Sequence, residues 1–146
     1  MKTPLSNVIG LTFGSLALLM MTGTAGAHHA FATEFDAKQP ITLRGTINRV
    51  EWINPHAFIH LDVKNADGTV VEWMIEAGSP NTLVRRGMTR DSIQPGTEII
   101  VFGYRHRNGS NAANGRDVTL ADGRRLFITS PGTGAPGSET DPKDAK

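Results

Sequence analysis

Residues Arg44–Val63, RGTINRVEWINPHAFIHLDV, decide the fold. They read as the end of a long strand, a tight corner at Asn54-Pro55, and a second strand. Ile41, Leu43, Gly45 and Ile47 fall on one face at a period of two; the apolar positions then shift by one, to Val50 and Trp52. A face switch beside a glycine predicts a bulge or a sharp coil. After the corner, Ile59, Leu61 and Val63 alternate with Phe58, His60 and Asp62, giving one apolar and one polar face.

Working outward, the first strand spans Ile41–Ile53 and the second Phe58–Lys64. Asn65-Ala66-Asp67-Gly68 supplies a hairpin turn. Thr69–Ala77 is the third strand, with Val71, Trp73 and Ile75 on its core face. Ser79 then caps and Pro80 opens a short helix over Asn81–Arg86, stopped by Gly87. Thr97–Arg107 is a fourth strand, apolar on both faces through Ile99–Phe102, as a well-buried strand would be. The composition of Asn108–Gly115, NGSNAANG, predicts a loop. Arg116–Leu120 and Arg124–Ile128 pair as a last hairpin. Upstream, His28–Pro40 is a polar lead-in without a clear period. The predicted class is all-β: a small OB-like barrel of five to six strands, with one short helix between strands three and four. A small open β-sandwich is the competing architecture.

The chain has 146 residues, 38% of them hydrophobic, enough for one modest domain. Its N-terminus reads differently. Lys2 precedes an apolar run over Val8–Met21, and Ala25-Gly26-Ala27 matches an A-x-A cleavage site. The run is short for a membrane span. Residues 1–27 are therefore expected to be a secretory signal peptide, 28–129 the barrel domain, and 130–146, rich in Gly, Pro and charge, a disordered tail. Cleavage would place the protein in the periplasm without a transmembrane segment. It would also leave 14 residues of each charge sign, a balance that argues against nucleic acid as a partner. The absence of cysteine excludes disulfides, thiolate metal sites and thiol catalysis.

Several stretches resemble a known family of short exported bacterial proteins carrying a domain of unknown function. They are His28-His29-Ala30-Phe31-Ala32, Gly45–His56 (GTINRVEWINPH), Ala77–Ser92 (AGSPNTLVRRGMTRDS) and Gly109–Phe127 (GSNAANGRDVTLADGRRLF). Together they span nearly all of the chain after residue 27. The resemblance implies a compact, exported, OB-like domain and no established activity. Met88 stands where the family has Trp, which removes an aromatic role there.

The sharpest chemical candidate is the N-terminus that cleavage would create. With His28 first, its α-amine and imidazole can chelate one metal ion, and a further imidazole can complete a near-planar nitrogen set. That arrangement suits copper(II), which favours tetragonal N/O ligation. His29, His56 and His60 are the expected additional metal residues, with His106 as a further imidazole. Glu72, Glu76 and Asp62 offer carboxylates, and Met74 a softer donor. His60 and Asp62 share a strand face, as do Glu72, Met74 and Glu76; the turn register decides whether the two faces coincide. No spacing matches a standard zinc motif. The plainer account makes the His-His pair a polar chain end and His60 a solvated strand residue.

A metal-free alternative is an envelope module that binds a small ligand or a protein. Trp52, Phe58, Tyr104 and His106, with Arg85 and Arg86, would line its groove, aromatics stacking and cations steering. Against it stands the reading of Trp52 as core and of the arginines as solubilising. Catalysis finds little support, because Ser79, Ser92 and Ser110 lack a nucleophile elbow and no triad pattern is present.

Overall fold

The structure, a computed structural model, describes residues 31–131 and 133–137. The expected signal peptide, His28 and His29 lie outside the described residues, as does the chain from 138 onward. Six strands form: β1 (Phe35–Glu51), β2 (Phe58–Lys64), β3 (Val70–Glu76), β4 (Glu98–His106), β5 (Ala112–Thr119) and β6 (Arg125–Phe127). A helix, α1 (Pro80–Arg85), separates β3 from β4. Sheet order is β3-β2-β1-β4-β5-β6, and β3 also pairs with β5 in parallel, from Met74↔Ala112 to Glu76↔Asn114. That last pairing returns β1-β2-β3-β5-β4 on itself in a barrel-like ring and decides against an open sandwich. Among the described residues, no helix is long and apolar enough to cross a membrane.

The central stretch folds as its pattern requires. The β1–β2 register slips between Ile47↔Leu61 and Arg49↔His60, so Asn48 is the extra residue of a bulge and the face switch has its cause there. Gly45 is required three residues before Asn48: a Cβ at this position would lie 2.5 Å from the Asp62 carbonyl oxygen. The peptide bond at Asn54-Pro55 is cis. Ile47, Ile59, Leu61 and Ile75 are each at most 1% exposed and fill the barrel interior, with Trp73 beside them. Helix α1 packs Leu83 against the core. The Ser79 side chain accepts from the Thr82 backbone N–H, Pro80 opens the helix, and Leu83 is fully buried. Met88 packs in this same core.

Two strand starts and one burial pattern differ from the sequence expectation. β1 begins at Phe35 rather than Ile41, because β4 pairs with it back to Phe35↔His106 despite its polar composition. β5 begins at Ala112, inside the segment expected to be a loop. Ala112, Ala113 and Asn114 are buried there between β3 and β4, where small side chains let three strands meet. β4 is not buried on both faces: Ile99 and Val101 point inward, while Ile100 is 37% exposed. The outer face is covered only at its far end, by a satellite cluster of Phe31, Phe35, Tyr104 and Ala135 with Phe102 against it. Ala135 falls within the segment read as tail.

Candidate functional site

Where β3, β5 and the N-terminal segment meet, a cavity of about 240 Å³ is lined by Phe31, Glu34, Phe35, His56, Glu76, Asn114 and Thr133. Glu76 is the last residue of β3 and pairs with both Phe58 and Asn114. Asn114 pairs in turn with Tyr104 across β4. β4 approaches this closely because its next-door residue, Gly103, lacks the Cβ that would strike the Asn114 carbonyl. His56 comes from the corner before β2. Residues 31–34 form a helical turn held against β4 in two ways. Arg107 donates its backbone N–H to the Glu34 carbonyl at 2.8 Å and its Nε–H to the Ala32 and Phe35 carbonyls at 2.9 and 3.0 Å. Phe31 packs edge-on to Tyr104, 5.6 Å between ring centres, and stacks on Phe35 at 5.7 Å.

The polar groups of the cavity form one chain of contacts. His56 Nδ1 lies 3.2 Å from Glu76 Oε1, and the Asn114 side-chain amide donates to the same oxygen at 3.2 Å. Both partners use Oε1, so Oε2 has no hydrogen bond among the described residues. The Asn114 Oδ1 is buried and has no hydrogen-bond partner there. Burial pushes the Glu76 carboxyl above the ordinary glutamate value. His56 and the Asn114 amide pull it down, and the Glu34 carboxylate pushes it further up.

His60 lies elsewhere. On the outer face of β2, opposite Met74, its ring is 5% exposed. The register therefore does place the polar faces of β2 and β3 together. Nε2 is 2.7 Å from Glu51 Oε1 and Nδ1 is 3.1 Å from Glu72 Oε1. Arg49 completes this cluster, 3.6 Å from Glu51 and 3.3 Å from Glu72. Glu72 and Glu76 are four residues apart on β3, about 13 Å by strand rise, so His56 and His60 belong to different clusters. Among the described residues, no three His, Asp or Glu side chains are grouped so as to hold a metal ion.

The expected aromatic and cationic groove is dispersed. Trp52 is half-buried beneath the Arg90 guanidinium, 5.0 Å from its ring centre. Tyr104 is buried in the satellite cluster, and His106 meets the Phe35 ring edge-on at 5.2 Å. Arg85 is exposed on α1, and Arg86 donates to the Thr129 carbonyl. Phe58 is half-buried at the start of β2. Sequence reasoning missed Glu34, Phe31, Phe35 and Asn114. Their roles depend on contacts between distant segments, such as Asn114 with Glu76, 38 positions apart, and Phe31 with Tyr104; the one local signal was the place of Phe31 and Asn114 inside the family-like stretches, HHAFA and GSNAANG.

Among curated proteins, none matches this chain. Of the solved structures that match, one is the crystal structure of a TiaS–tRNA–ATP complex, at 19% identity and a TM-score of 0.40. The match covers 56% of this chain and 18% of that one, so the chain spans about a fifth of that protein's length. A family model matches residues 17–115, a region that takes in all five histidines as well as Glu76 and Asn114. With more than half of its length matched, the chain belongs to the family of unknown function DUF6152.

Proposed function

We propose that the protein is exported to the periplasm, that cleavage after Ala27 frees the His28 amine, and that the mature chain binds a divalent metal, copper(II) foremost, at the mouth of the cavity. His28 would supply its amine and imidazole, His56 its Nε2, and His29 a further imidazole.

The observation that carries this reading is the His56–Glu76 contact. A metal-binding histidine characteristically gives its other ring nitrogen to a carboxylate, which fixes the ring and raises its basicity. His56 Nδ1 meets Glu76 in that manner, at 3.2 Å. Nε2 has no recorded partner among the described residues. The Phe31–Tyr104 and Arg107 contacts hold residues 31–34 at the same cavity, and His28 precedes Phe31 by three residues, a reach of about 10 Å. His60 has no part in the proposed site, because both of its nitrogens already face carboxylates.

Intact mass of the secreted protein and copper titration test the proposal together. A mass beginning at His28, with tight copper binding weakened on the order of tenfold or more in both H28A and H56A, supports it. A different first residue, or equal affinities in the three proteins, overturns it. The second reading is the metal-free module that takes a small ligand. It draws on the aromatic walls of the cavity, Phe31 and Phe35, which a metal site does not need.

A further inference from the structure

We infer that the inner part of this cavity binds the ammonium head of a small organic amine, held by Glu76 and by the side-chain carbonyl of Asn114. The inference goes beyond the copper reading and does not require it. Four observations support it. First, the wall presents acceptors: Glu34 and Glu76 contribute carboxylates, and neither lysine nor arginine is among the lining residues. Second, Asn114 is 4% exposed and its Oδ1 lacks a hydrogen-bond partner among the described residues. A buried acceptor left unpaired is costly and calls for a donor. Third, the Asn114 amide and His56 converge on Glu76 Oε1, so Oε2 and Asn114 Oδ1 remain as two acceptors contributed by neighbouring, paired strand positions. An ammonium group has three N–H donors and no acceptor, which matches that set. Fourth, Phe31 and Phe35 line the same space and suit the alkyl part of an amine, with their ring faces attractive to its charge.

Other ligand classes fit less well. An anion would meet two carboxylates. A bare metal ion is far smaller than a 240 Å³ space, and the described side chains do not group as metal ligands.

The geometry also sets a relation to copper. A cation on Glu76 and a metal on His56 would lie on opposite sides of one carboxylate. Their charges repel, so each ligand should weaken the other, by the same factor in both directions.

The test uses the secreted, processed protein, freed of metal by dialysis against a chelator. n-Butylammonium chloride is titrated by calorimetry, with n-butanol and sodium chloride at matched concentrations as controls. Saturable binding of the ammonium alone is expected, weakened on the order of tenfold in E76Q and in N114L, and unchanged in H28A. Should N114L fail to fold, N114D serves instead: the added negative charge should tighten binding. Equal responses to n-butanol and n-butylammonium, or wild-type affinity in both E76Q and the folded Asn114 variant, would overturn the inference. Because H28A removes the copper chelate and spares the ammonium site, failure of either reading is seen separately.

Discussion

His56 and His60 stand four residues apart in sequence, and each meets a glutamate, yet their surroundings differ in kind. The His60 ring is 5% exposed, and its two nitrogens face Glu51 and Glu72 at 2.7 and 3.1 Å. The His56 side chain is 34% exposed, with one nitrogen on Glu76 and the other free of recorded partners among the described residues. Around His60 a cation, Arg49, balances the carboxylates. Around His56 no lysine or arginine lines the cavity, Glu76 is mostly buried, and a neighbouring carbonyl oxygen lacks a donor. A histidine whose hydrogen-bonding capacity is used up holds strands together. One that is half used, beside an unbalanced carboxylate, has capacity left for a ligand. The residue type and its glutamate partner are common to both; the count of satisfied atoms separates them.

The largest effect should come from His60. Replacing it by Ala removes a buried ring and its contacts to two carboxylates. Glu51 and Glu72 are 41% and 43% exposed, so they can regain water when the ring is lost. The loss should therefore fall below the range for breaking a fully buried pair, at about 2–3 kcal/mol. Urea denaturation should show this as a lower midpoint at unchanged slope. Copper affinity of the folded H60A protein should equal that of wild type. H56A should do the reverse, losing copper affinity by about ten- to a hundredfold while changing the midpoint little. Equal copper affinities in H56A and wild type would erase the distinction between the two histidines.

A smaller effect concerns Glu76 and pH. Its carboxyl is raised in the folded protein, chiefly by burial and also by Glu34, while His56 and the Asn114 amide oppose the shift. A raised folded-state value means the folded chain holds this proton more tightly than the unfolded chain does. The stability it contributes is complete below the ordinary glutamate value of 4.5 and is lost as pH rises through the raised value. E76Q keeps the shape and removes the titration. Its stability relative to wild type should therefore increase between pH 4 and neutrality, as read from paired urea curves across that range. A difference independent of pH would show that titration of Glu76 adds nothing to the pH dependence of stability.

The sequence carried the barrel further than it carried the site. Gly45 beside the shift from Ile47 to Val50 announced the bulge at Asn48, because steric and periodic constraints there are local. Asp67-Gly68 and Ser79-Pro80 marked the β2–β3 turn and the start of α1 for the same reason. β5 was hidden in NGSNAANG. Small and polar residues look like a loop by composition, but Ala112, Ala113 and Asn114 are small because β3 and β4 both press on them. The start of β1 was hidden because Phe35 pairs with His106 of β4 across an irregular polar stretch that regains register only at Pro40↔Tyr104, so no apolar period marks it. The cavity inherits both blind spots. Asn114 sits on the hidden part of β5, and Glu34 is placed by Arg107, seventy-three positions away in sequence.

The smallest effect tests what balances the His60 cluster. Arg49 reaches Glu72 at 3.3 Å and Glu51 at 3.6 Å, but its side chain is 51% exposed. Exposed ion pairs contribute from near zero to about 1 kcal/mol, and salt screens them. R49A should therefore cost about 0.5 kcal/mol in dilute buffer and less in molar salt, measured by the same urea midpoints. If Arg49 were instead the main stabiliser of the cluster, R49A would match H60A and persist in salt. The small value is expected because the buried imidazole bridges both carboxylates directly, while Arg49 only adds charge from the solvent side. That asymmetry is what the His56 cavity lacks: there, no lysine or arginine lies among the described residues lining it, and the free side of Glu76 is left to a ligand.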